Sequence, residues 1–144
     1  MRFLLDAMLG DLARILRMCG HDAAYCLDRD VEADDDVRAL ALDEGRVLLT
    51  RDEQLAARTP DSILVRSKDT DEQLRELRDA GVSLELAAGE RCGACNGRLE
   101  RVASDAPRPE YVPDDVSPVW RCRDCGQWFW QGSHWDDVRT RLRF

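Results

Sequence analysis

Lysine is all but missing from this chain. Lys68 is the single lysine among 21 basic residues, the rest being arginine, and 20 of the 29 acidic residues are aspartate. Abundant aspartate without lysine points to a salt-rich cytosol, where excess negative surface keeps a protein hydrated. A GC-rich genome would account for the arginine bias, less readily for the acids. Long apolar runs are missing too. None approaches the ~20 residues that a bilayer span requires, and Met1-Arg2 runs straight into Phe3-Leu4-Leu5-Asp6 with no leader pattern. The expected setting is therefore cytoplasmic, with no membrane contact and with reduced thiols. Internal repeats and low-complexity tracts are absent, so the 144 residues fit one ordinary domain, or a larger domain followed by a small one that needs a staple.

Charge is unevenly spread. Residues 1–90 hold 12 basic and 21 acidic side chains, whereas residues 91–144 hold 9 and 8. The overall −8 disfavours long-range attraction to nucleic acid. In molar salt, however, the Debye length shrinks to ~3 Å and contacts become local. An RNA partner is not excluded.

What the chain does have is two Cys-x-x-Cys pairs, Cys92 with Cys95 and Cys122 with Cys125, separated by 26 residues. Two residues between thiolates let one tight knuckle present both sulfurs to a tetrahedral ion, and a second knuckle completes the site. Each knuckle needs a residue tolerant of positive φ after its second cysteine; Asn96-Gly97 and Gly126 supply them. A redox dithiol and a pair of disulfides are the competing readings. Four thiolates close the coordination sphere, so the zinc is expected to be structural and unable to activate water.

The first 90 residues alternate apolar runs with helical patterns. Strands are expected at Phe3–Leu5, Ala23–Cys26, Val47–Leu49 and Ile63–Val65, and a last one around Ser83–Leu86. Between them, helices are expected over Met8–Cys19, from Asp34-Asp35-Asp36 to Gly45, over Glu53–Arg58 and over Thr70–Asp79. The order is that of an α/β fold, a parallel sheet covered by helices, with strands apolar on both faces. Residues 91–144 read as a small β-rich zinc ribbon with a short C-terminal helix, its halves joined by the proline-rich loop 104–118.

Open α/β sheets bind ligands at the carboxyl ends of their strands. Two strands here run into aspartate, Leu4-Leu5-Asp6 and Leu48-Leu49-Thr50-Arg51-Asp52, and Asp34 and Asp35 open a helix whose start falls at the same edge. Converging carboxylates repel one another unless a hard cation neutralises them, which makes Mg²⁺ or Mn²⁺ the natural ion. Such an ion can bridge a phosphate, activate water and stabilise a leaving oxygen. The plain alternative is helix caps and surface acids in an aspartate-rich chain.

Arg14 and Arg17 share a face of the first helix and, with Arg51 beside Asp52, are candidate phosphate grips. Pairing with nearby acids such as Asp11 is the alternative. Trp120, Trp128, Trp130 and Trp135 all fall in the last 25 residues. They are either base-stacking platforms or the ribbon's core and its seam with the first domain. His134 has no place on a four-cysteine zinc and is either a packing residue or an RNA contact. His21, after Gly20, reads as a turn residue. Cys19 and Cys26 lack metal-ligand spacing and read as buried reduced thiols.

Four stretches together, Leu5–Arg14, Leu48–Asp52, Arg91–Asn96 and Trp130–Trp135, resemble the PIN-like ribonuclease family named after the C-terminal domain of the Mut-seven exonuclease. The resemblance covers nearly the whole chain. It implies a PIN-like domain over residues 1–90 fused to a zinc ribbon over 91–144, with metal-dependent RNase activity. By position, the family's acidic residues fall on Asp6, Asp34 and Asp52, with Asp35 a close alternative and Asp69 a weaker fourth. Phe129 stands where tyrosine is commoner. The leading expectation is a Mg²⁺- or Mn²⁺-dependent endoribonuclease whose ribbon helps dock RNA, with tRNA, rRNA or the ribosome as candidate targets. A non-catalytic RNA- or ribosome-binding module is the rival, and a zinc-linked redox switch a third reading.

Overall fold

Because the apolar runs of the first half do not alternate with polar residues, they suit strands covered on both faces. The computed structural model, which describes residues 1–144, pairs four of them as a parallel sheet: β1 (Arg2–Leu5), β2 (Asp22–Tyr25), β3 (Val47–Thr50) and β4 (Ser62–Leu64), in the order β2-β1-β3-β4. The helices are α1 (Gly10–Met18), entered through a 3₁₀ turn at Ala7–Leu9, α2 (Asp34–Glu44), α3 (Glu53–Arg58) and α4 (Thr70–Asp79). Strand periodicity splits the core in two. Phe3, Leu5 and Leu49 meet Leu12 and Leu16 of α1 and Leu74 and Leu77 of α4 on one face. Leu4 and Leu48 meet Val37 and Ala41 of α2 and Leu55 of α3 on the other.

The strand expected around Ser83–Leu86 does not form. Val82, Leu84 and Leu86 pack into the layer of α1 and α4, and the Ala87 N–H bonds to the Met18 carbonyl at 2.9 Å. That bond holds the segment over the end of α1 and away from a sheet edge. His21 is more than a turn residue: it is buried, and a ring nitrogen lies 2.7 Å from the Ser83 carbonyl. Cys19 and Cys26 are free and buried, and burial pushes their thiols up to about 12 and about 11.

A second, antiparallel sheet holds β5 (Leu99–Arg101), β6 (Val119–Cys122) and β7 (Trp128–Trp130) in that order. The proline-rich loop returns Val112 against Val119 and Trp128 to make a small core. The last helix, α5 (Ser133–Arg141), follows the ribbon directly, and its C-terminal half also docks on the first sheet's layer. Val138 is buried in the main core, Leu142 packs on it, and Arg141 Nε sits 2.7 Å from Asp71 Oδ1. Val138 and Leu142, four residues apart, share the face that docks.

Candidate active site and metal centre

The two knuckles bring Cys92, Cys95, Cys122 and Cys125 together with all four sulfurs within 4.8 Å of one another. Cys92 and Cys125 Sγ are 3.7 Å apart, Cys95 and Cys122 Sγ 3.5 Å. A tetrahedron of ~2.3 Å zinc–sulfur bonds has edges of ~3.8 Å, whereas a disulfide needs ~2.05 Å. The four cysteines can therefore hold a zinc ion. Asn96 (φ 73°) and Gly126 (φ 79°) take the positive-φ positions. A Cβ on Gly97 would stand 2.7 Å from Cys122 Sγ, so the turn closes only around a residue without a side chain. Burial pushes the Cys92 thiol up, and its thiolate is stable there only beside a cation. Against the same effect of burial, the N–H groups of Cys125 and Asp124 bond to Cys122 Sγ and hold it below the usual thiol range.

The first knuckle is also the seam with the parallel sheet. Asn96 Oδ1 accepts the Ala23 N–H at 2.9 Å, and Asn96 Nδ2 donates to Asp22 Oδ1 at 2.7 Å, so one side chain closes the free edge of β2. Arg46 donates to the same carboxylate oxygen at 2.7 Å. Against burial, which raises it, these donors hold the Asp22 carboxyl down at about 2. The sequence marks Asn96 as a turn residue only; its second role depends on which strand lies beside it.

Arg17, expected to grip phosphate, is elsewhere. Its guanidinium is buried under the knuckle, with Nε donating to the Ala23 carbonyl at 2.8 Å and Nη1 to the Gly93 carbonyl at 2.9 Å. Burial first of all depresses its pKa, and Asp28 nearby opposes that. Arg17 ties the two sheets together. Arg14 and Arg51, by contrast, pair with no carboxylate. Arg14 is exposed on α1, and the Nε of half-buried Arg51 has no hydrogen-bond partner. His134 is exposed at the start of α5.

The carboxyl edge of the parallel sheet gathers three of the predicted acids. Asp6 follows β1 and has both oxygens engaged: Oδ1 accepts the Ala7 N–H at 2.8 Å and Oδ2 the Thr50 hydroxyl at 2.7 Å. Asp52 caps α3, its Oδ1 accepting the N–H groups of Gln54 and Leu55 at 2.9 and 3.1 Å. Asp34 lies in the first turn of α2, near enough to Asp52 and Asp6 for their charges to bear on it. Partial desolvation, then these like charges, hold its carboxyl above the ordinary range. Asp35 turns the other way and pairs with Arg58, which lowers it. Asp69 is an exposed cap on α4, accepting the Glu72 N–H at 3.0 Å. Fully buried Thr50, which links Asp6 to the Asp52 N–H (3.0 Å), was not among the predicted site residues. Its only signal was its place between two candidates. The donor set is three hard oxygens from three elements at one sheet edge, the chemistry that suits Mg²⁺ or Mn²⁺. The set is looser than the cysteine cluster, which alone draws its ligand atoms within 4.8 Å.

The Mut7-C RNAse domain family model matches residues 1–142. Neither the curated proteins nor the solved structures returned a match.

Proposed function

Because the chain belongs to the Mut7-C RNAse domain family, a ribonuclease-type domain, we propose that it hydrolyses RNA phosphodiesters internally, with Mg²⁺ or Mn²⁺ held by Asp6, Asp34 and Asp52 on a PIN-like frame. What supports this reading is that Asp6 follows β1, Asp52 follows β3 and Asp34 opens α2, all toward the carboxyl ends of the parallel strands, with the Thr50 hydroxyl linking Asp6 to the Asp52 N–H. When bound, the cation neutralises the carboxylates and lends Lewis acidity at the phosphate. The chain's own residues do the rest. The Ala7 N–H and Thr50 hydroxyl fix the orientation of Asp6, and α3 fixes Asp52 through one oxygen while the other stays available. Asp34, in the first turn of α2, is the third carboxylate offered to the cation. Arg51, unpaired beside Asp52, is placed to grip the phosphate. The zinc ribbon is structural and aids docking of RNA, with tRNA, rRNA or the ribosome as targets.

The test is cleavage of an end-labelled RNA in Mn²⁺. Asp6→Asn and Asp52→Asn are expected to slow it about 10²-fold or more while RNA binding persists. The looser spacing of the three carboxylates favours a second reading, a non-catalytic RNA-binding module. Equal binding with no metal-dependent cleavage by the unaltered protein selects it.

A further inference from the structure

Strand alternation gives the ribbon sheet two faces. One closes the small core around Val119 and Trp128. The other carries Trp120 and Phe129, directly opposite each other in the β6–β7 register. This second face does not close onto α1. Between them lies a partly open cavity of 260 Å³, bounded by Arg14 of α1 and by His134 and Trp135 of α5. Gly89 (φ 77°) gives it depth: a Cβ there would meet Trp120 Nε1 at 2.4 Å, so the indole lies against bare backbone.

The cavity is aromatic and free of acid. Of its 14 lining residues none is acidic, in a chain with 29 acids among 144 residues. Arg14 and Arg91 line it, and Arg14 has no ion-pair partner. Arg91 Nε and Trp135 Nε1 are buried donors without an acceptor. Flat aromatic walls stack a base of any sequence, and cationic planes meet its phosphate. The volume, near the ~300 Å³ lower end of small-molecule pockets, fits one such unit rather than a helix or a strand of a protein partner.

We propose that this groove is a subsite for one unpaired nucleobase of single-stranded RNA, stacked among Trp120, Phe129 and Trp135 with its phosphate on Arg14. The proposal rests on the ribonuclease reading for the identity of its ligand. Arg14 lies eight residues beyond Asp6 along the 3₁₀ turn and α1, roughly 13 Å of helix rise. A strand seated in the groove therefore reaches the acidic edge within a few nucleotides.

The test titrates the zinc-loaded full chain with a single-stranded oligoribonucleotide, without added Mg²⁺ or Mn²⁺, reading tryptophan fluorescence. Quenching is expected with the single strand and not with the matching duplex. Phe129→Ala and Arg14→Glu should each weaken binding about tenfold and, with Mn²⁺, raise KM while kcat holds. Asp52→Asn should bind like the unaltered protein. Phe129→Ala keeps all four tryptophans, and its zinc content reports whether the ribbon has folded. If it has not, Arg14→Glu, on an exposed helix position, decides. Groove variants that bind and cleave normally overturn the subsite and leave the nuclease reading intact. Groove-dependent binding with no cleavage by any protein sinks the nuclease reading and leaves the subsite. RNA-independent self-association abolished by Phe129→Ala, with RNA binding unchanged, shows a second copy as the occupant and overturns the proposal.

Discussion

Thr50 and Asp6 are joined across neighbouring parallel strands, the hydroxyl at the end of β3 donating to Asp6 Oδ2 at 2.7 Å. Thr50 Oγ1 in turn accepts the Asp52 N–H at 3.0 Å, so one buried side chain sets the spacing of two candidate ligands. Thr50→Val keeps the shape and removes both bonds. Stability is expected to fall by about 1–3 kcal/mol, because buried groups lose their partners. RNase activity should fall with every carboxylate still in place. Urea unfolding and cleavage rates, measured side by side, check it.

Asp34→Asn and Asp35→Asn separate two neighbours of identical chemistry. Asp34 is held above its ordinary value, so in the metal-free protein its folded state favours the proton. The favourable contribution is complete below the unfolded value near 3.8 and is lost as pH rises through the folded one. Asp34→Asn should therefore leave the metal-free protein at neutral pH as stable as before, or more so, and should abolish the rise in Tm caused by Mn²⁺. Asp35→Asn loses only an exposed, solvent-screened pair with Arg58, and should keep both its stability and the Mn²⁺ response. An unchanged Mn²⁺ response in Asp34→Asn would assign the ion elsewhere.

Asp22 makes the seam pH-dependent with the opposite sign. Its carboxyl sits at about 2 in the folded chain, below the usual 3.8. The stability it adds is complete above pH ~4 and drains away as pH falls through about 2. Asp22→Asn should cost roughly 1.5–3 kcal/mol at pH 7, the range for hydrogen bonds to a charged group. The difference between the two proteins should close over that acid window, read by denaturant midpoints at each pH.

Removing zinc, by chelation or Cys122→Ser, is expected to unfold the ribbon, whose own core is three buried residues. Near-ultraviolet dichroism of the four tryptophans should collapse while the parallel sheet keeps most of its far-ultraviolet signal. Arg17 and Asn96 hold the knuckle to β2, so Asn96→Gly, which keeps the positive φ of 73° while removing the side chain, should loosen the seam with zinc still bound. Hydrogen exchange at the Ala23 N–H is the direct readout.

The sequence by itself determined what depends on neighbours in the chain. Cys-x-x-Cys spacing is a local geometry, so all four sulfurs were identified without a fold. Asp6 and Asp52 stood out because each ends an apolar strand run, and strand direction in a parallel sheet sends such ends to one edge. Tertiary structure decided whatever depends on what packs from afar. A one-residue step along a helix turns a side chain by about 100°, which separates Asp34, facing Asp52, from Asp35, facing Arg58. Arg14 and Arg17 share a helix face, yet the zinc knuckle covers only Arg17, and burial turned it from a phosphate grip into a tie. Ser83–Leu86 had a strand's composition but lay over helices, where no sheet edge offered it partners, and Val138 of α5 reached the main core. Composition sets which groups can pair; only the folded chain sets which are within reach.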